Sequence, residues 1–130
     1  MRTWERGLAG LLGAGLVLNG LIMLAAPFAW YQQVPGVLET GPWNGHLVRD
    51  VGAAYLVAGC GAAAFALRPR EAWPALAAGA GFLLLHVGVH IADTVCGRSS
   101  LARLAADVPG VIAPALIAGA LVLAARMRGV

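Results

Sequence analysis

The stretch GLAGLLGAGLVLNGLIMLAA (residues 7–26) runs for twenty residues without a charge. About 20 apolar residues in a helix, rising about 1.5 Å each, cross the ~30 Å hydrocarbon core of a bilayer. Arg2 and Arg6 precede the run, and Pro27, Trp30 and Tyr31 follow it. Aromatic residues are enriched at this level, where a helix leaves lipid. The apolar core of a signal peptide is shorter, about 7–15 residues, so the run is expected to be a span.

Three further largely apolar runs follow. Residues 46–67 end at Arg68, Pro69, Arg70 and Glu71, and residues 73–95 stop at Cys96–Gly97. The last run, residues 108–125, ends before Arg126 and Arg128; Pro114 inside it is expected to kink the helix. Spans of about 7–26, 46–67, 73–95 and 108–125 nearly exhaust the 130 residues, which leaves one membrane domain, 1–130, and no soluble one. Composition agrees: 60% of residues are hydrophobic, 12% are charged, and the mean hydropathy is +0.79. A soluble domain carries about 25% charged residues, and one this small needs polar surface to cover its core. The fold class is therefore all-α, a four-helix transmembrane bundle.

The connection from 27 to 45 is long and rich in Pro and Gly, and that from 97 to 107 is polar with room for a short amphipathic turn. All nine basic residues are arginine. Arg2, Arg6, Arg68, Arg70, Arg126 and Arg128 fall at one end of the bundle; Arg98 and Arg103 fall at the other, with Arg49 near its margin. The positive-inside rule then puts both termini in the cytoplasm. The net charge of +3 reads as orientation and contact with membrane lipid, and no nucleic-acid motif accompanies it.

Small residues crowd the spans: Gly10, Gly13, Ala14 and Gly20 in the first, Gly52, Ala53, Gly59, Gly61 and Ala62 in the second, Gly79, Gly81 and Gly88 in the third. They allow the close backbone approach by which helices associate in lipid.

The costly residues gather in spans two and three. His46 and Asp50 share a helix face four residues apart, and His86, His90 and Asp93 form a second stripe. Counted from the ends opposite the termini, Asp50 lies roughly 6 Å deep, His90 roughly 7 Å and His86 roughly 13 Å. The two stripes thus occupy overlapping levels. Ionisable groups inside spans normally face the bundle interior and have partners, so this region is the expected functional site. Imidazole and carboxylate donors suit divalent transition metals, and bundles build metal sites from side chains on facing helices. His46, Asp50, His86, His90 and Asp93 are the expected ligands of zinc, copper or iron, with Asp93 as a ligand or as the acceptor that orients a histidine. Haem held by two histidines is a variant. Arg49, Asn19 and Tyr55 are the expected charge-balancing or substrate-contacting residues. A metalloenzyme acting on a small lipophilic ligand from the bilayer is the leading expectation. The rivals are a proton-coupled or small-molecule transport component, which in so thin a bundle calls for a homo-oligomer, and an accessory subunit that uses the stripe as helix glue. Cys60 and Cys96 differ in depth by roughly 20 Å and cannot bridge each other.

The segment Asn44-Gly-His46-Leu-Val-Arg49-Asp50-Val-Gly52, followed by Ala53-Ala54-Tyr55-Leu56, reads N-x-H-x-x-R-D-x-G. With the His86/His90/Asp93 stripe it resembles small four-helix membrane proteins of the bacterial inner membrane, the DoxX-like assemblage. The resemblance covers about half the chain. It implies a four-helix fold and carries no established activity.

Overall fold

A computed structural model describes residues 1–129. Helix α1 (Thr3–Ala25) is followed by a short helix α2 (Pro27–Gln33) and a 3-10 turn (Val37–Thr40). Helices α3 (Gly45–Leu67) and α4 (Pro69–Val95) come next, then the short α5 (Leu101–Ala106), a π-helical turn (Val108–Ile112) and α6 (Ala113–Met127). The described residues hold no strand. Thr3–Ala25, Gly45–Leu67, Pro69–Val95 and Val108–Met127 are each long and apolar enough to cross a membrane. The protein is thus an all-helical bundle with four candidate spans. Both termini and the α3–α4 junction lie at one end, here the termini end; α2 and α5 lie at the other, the loop end.

Local chemistry sets the boundaries. Asn44 caps α3 by accepting a 3.0 Å hydrogen bond from the Leu47 amide, and Ser100 caps α5 by accepting from Arg103, 3.1 Å. Pro27 and Pro69 stand at the first positions of α2 and α4, where a missing amide hydrogen costs nothing. Helix α4 therefore begins four residues before the run read from hydropathy alone. The irregularity expected at Pro114 falls earlier. The turn Val108–Ile112 widens to π geometry, with the amides of Val111 and Ile112 both donating to the Asp107 carbonyl at 2.8 and 3.2 Å. Pro114 follows in the first turn of α6. A proline ring needs room at the carbonyl one turn behind it, and the widened turn supplies that room.

The helices pack in sequence order, α1 on α3, α3 on α4 and α4 on α6, with lighter contact between α1 and α6. The α1–α3 seam is the closest. A Cβ on Gly20 would lie 2.6 Å from the Gly52 carbonyl oxygen, and one on Gly13 would lie 2.7 Å from the Ala63 amide. Gly61 and Gly79 do the same between α3 and α4, against Ala75 and Ala58. At the termini end, Glu5 is buried and paired with Arg128, which joins the first helix to the last. Arg6 donates to the carbonyl of Ala66, 2.8 Å, at the end of α3.

Candidate functional site

At the loop end the α4 stripe meets the corner between α5 and α6. His90 on α4 shares a 2.7 Å hydrogen bond between its Nδ1 and Oδ2 of Asp107. The other carboxylate oxygen, Oδ1, accepts from Arg103 at 2.8 Å (Nη2) and 3.3 Å (Nε). Arg103 Nη2 also donates to the Pro35 carbonyl, 3.0 Å, which fastens the 34–44 connection to the same corner. One carboxylate thus ties together α4, α5 and, through Arg103, the long loop.

Asp107 is placed by backbone. Its amide donates to the Arg103 and Leu104 carbonyls at the end of α5, and its own carbonyl receives the two amides of the π turn. Arg103 and Asp107 are one helical turn apart, the spacing at which an Arg reaches an acid along a helix. Gly36, next to Pro35, has a positive φ of 82°, and a Cβ there would collide with the Arg103 guanidinium. Glycine at 36 is what lets the arginine lie under the loop.

Electrostatics follow from these contacts. Burial pushes the Asp107 carboxyl up, but the hydrogen bonds from Arg103 and His90 outweigh it and hold its pKa below the ordinary carboxylate value. The same pair raises Arg103. An ionised carboxylate only accepts, so the shared hydrogen resides on His90 Nδ1 and leaves Nε2 free to take up a proton or donate a lone pair.

Deeper along α4, the His86 ring lies edge-on to His90, with centroids 4.9 Å apart and planes at 72°. Phe82 stacks on His86 at 5.9 Å, and the Tyr55 ring of α3 meets its edge at 5.8 Å. A polar track thus runs from Asp107 through His90 to His86 and ends against aromatic rings.

The other expected site residues lie apart from this track. His46 and Asp50 pair with each other at 3.3 Å, with side chains 88% and 62% exposed. Asp93 pairs with Arg98, 3.1 Å, in the turn after α4. Arg49 is exposed and forms no ion pair among the described residues. Asn19 accepts from Trp30 Nε1 at 2.9 Å and so joins α1 to α2. Tyr55 is buried beside His86. Among the described residues, no group of three or more His, Cys, Asp or Glu side chains is placed to hold a metal ion. The five expected ligands are thus divided: His86 with His90, His46 with Asp50, and Asp93 with Arg98.

Sequence reasoning does not mark Asp107 and Arg103 as site residues. Asp107 stands at the end of a connection, and Arg103 enters only as one of the arginines that set orientation. The available signal was their four-residue spacing just ahead of a Pro-containing span. No protein family, curated protein or solved structure matches the chain.

Proposed function

We propose that the protein is a multi-pass membrane protein that handles protons at its loop end, with His90 as the exchanging base, His86 as the inner relay and Asp107 as the orienting carboxylate. One observation carries this reading: the 2.7 Å bond from His90 to a carboxylate that is only 10% exposed and is already held by Arg103. A carboxylate fixed in this way sets the tautomer and direction of the imidazole and stabilises the imidazolium when Nε2 takes a proton. The proton then passes to His86, whose ring is adjacent, which returns His90 to its neutral Nδ1–H form, and it leaves His86 by the same route, so the track takes up and releases protons at the loop end. Arg103 keeps Asp107 anionic throughout, so the carboxylate orients and does not itself transfer.

The six arginines at the termini end favour a cytoplasmic position for both termini, in the inner membrane of a bacterial cell. The track then opens to the outer side, as the proton-entry end of a transport component does.

The experiment is a pH titration of the histidine nitrogens by NMR in the purified protein in micelles. Wild-type protein is expected to hold His90 as the Nδ1–H tautomer, with proton uptake at Nε2 that perturbs His86, and Asp107→Asn to lose the fixed tautomer. The same His90 tautomer in wild type and Asp107→Asn would end the proposal.

A second reading has its own observation. His86 and His90 are one helical turn apart with adjacent rings, an arrangement that offers two nitrogens to one divalent zinc, copper or iron ion, with Asp107 as the outer carboxylate. Elemental analysis decides it: metal bound in proportion to protein, and lost in His86→Ala, would transfer the site to metal chemistry.

A further inference from the structure

Helices α3 and α4 approach closely at two glycines. A Cβ on Gly61 would lie 2.8 Å from the Ala75 carbonyl oxygen, and one on Gly79 would lie 3.1 Å from the Ala58 Cα. Beside this contact α3 presents Ala53, Val57, Cys60 and Ala64, and α4 presents Ala78 and Phe82. Close backbones with mostly short side chains leave an open groove of about 700 Å³ between the two helices. No side-chain oxygen or nitrogen lines it, so only an apolar occupant is satisfied inside. The groove is also about one leaflet long. From Ala53 to Ala64 the helix rises roughly 16 Å, and half of the ~30 Å hydrocarbon core is about 15 Å.

At its termini end the groove runs into a second cleft of about 360 Å³, which shares Ala64 and is bordered by Leu67, Arg68, Glu71 and Ala72. This cleft lies where the candidate spans Gly45–Leu67 and Pro69–Val95 meet, at the level of lipid headgroups. It holds one cation and one anion. Arg68 and Glu71 pair at 3.7 Å, with side chains 76% and 73% exposed. An ion pair this exposed is weak and gives way to a better-placed ligand. A headgroup with a phosphate and a primary ammonium complements both charges, since the guanidinium donates to the phosphate and the ammonium donates to the carboxylate. A purely anionic headgroup leaves Glu71 facing a like charge. A quaternary ammonium has no N–H to give it. A soluble zwitterion leaves the groove unfilled. The two charges thus select the head, and the leaflet-long groove selects the tail.

We propose that the protein binds one phospholipid with a phosphoethanolamine headgroup, with one acyl chain along Val57, Cys60 and Phe82, the phosphate at Arg68 and the ammonium at Glu71. The site lies at the opposite end of the bundle from His90 and uses none of the residues of that track.

The test uses the native thiols. Cys60 lies in the groove and Cys96, just beyond α4, lies outside it; both are exposed. The purified protein in detergent micelles is alkylated with a maleimide, and the Cys60 rate is referred to that of Cys96. Phosphatidylethanolamine is expected to slow Cys60 roughly fivefold or more, and phosphatidylcholine or phosphatidylglycerol with the same acyl chains less than about twofold. Glu71→Gln is expected to bring phosphatidylethanolamine down to the level of phosphatidylcholine, and Arg68→Gln to weaken protection by all three. Native mass spectrometry counts the lipid independently: one phosphatidylethanolamine is expected to stay on each chain, and to be lost in Glu71→Gln. Equal slowing by phosphatidylethanolamine and phosphatidylcholine, or stronger slowing by phosphatidylglycerol, would overturn the headgroup assignment. Cys60 rates unchanged by any lipid, or retained lipid that Glu71→Gln leaves in place, would overturn the site.

Discussion

His46 and Asp50 lie one turn apart on α3, whereas His90 and Asp107 lie on different helices, 17 residues apart in sequence. Both are histidine–carboxylate pairs, and both sit at the loop end. The first is 3.3 Å long with side chains 88% and 62% exposed; the second is 2.7 Å long with 23% and 10% exposed. The same two functional groups therefore have different physical standing. An exposed pair is screened and contributes about 0–1 kcal/mol. In a covered pair each group depends on the other for satisfaction, and removing one strands its partner. Asp107 also has Arg103, so a single change there releases three elements at once. Local spacing makes a pair, but the surroundings decide whether it carries a tautomer, a charge or a fold.

The comparison can be broken most directly by Asp107→Ala. Truncation leaves Arg103 and His90 without their carboxylate, and in detergent micelles it is expected to cost about 1–3 kcal/mol of unfolding free energy, the lower part of that range reflecting water near the bundle end. Asp50→Ala in the same micelles is expected to stay within about 0.5 kcal/mol. Equal losses in denaturant or thermal unfolding would erase the distinction between the two pairs.

Gly36→Ala tests whether the loop belongs to the covered pair. The positive φ and the collision with Arg103 are together expected to cost about 1–2 kcal/mol. Hydrogen exchange should rise across residues 34–40 while α3 around His46 is unchanged. A smaller effect is expected from Arg103→Lys, about 0.5–1.5 kcal/mol, because an ammonium cannot reproduce the guanidinium's two contacts with the carboxylate and its third with Pro35. Loss of the Pro35 contact without loss of the His90 bond, read from histidine nitrogen chemical shifts, would separate clamp from carboxylate.

The smallest expected effect is one of pH. The folded pKa of Asp107 lies below its ordinary value, so its contribution is present above the unfolded carboxylate range and is lost only as pH falls through the lower, folded value. Exchange protection of residues 103–112 should therefore stay constant from about pH 7 to about pH 5 and fall only below the usual carboxylate pKa of about 3.9. Loss of protection already near about pH 5 would mean that burial outweighs the hydrogen bonds at Asp107.

Much of the architecture was legible in the chain. Uncharged runs such as 7–26, aromatic residues at their ends and arginines beyond them depend only on local composition, and lipid enforces helix wherever they occur. The small-residue packing was legible too, although the chain does not say which glycines touch. Gly20 and Gly52 meet within a Cβ's breadth, while Gly81 and Gly88 have open space around them. The starts of α4 and α6 were less legible, because Pro69 and Pro114 read as breaks and the fold uses both in first turns.

The sequence by itself determined the four long apolar helices, because hydropathy is a property of a single segment. It also placed His46 with Asp50 and His86 with His90, since residues four apart share a face on any helix. Only the tertiary structure decided which stripe gains a carboxylate from elsewhere. That depends on how α4 is rotated and on the path of the chain through α5 and the π turn, where one widened turn places Asp107 against His90. Close packing at Gly79 of α4 and Gly61 of α3 sets how the two helices lie together, and no local pattern around His90 or Asp107 records it.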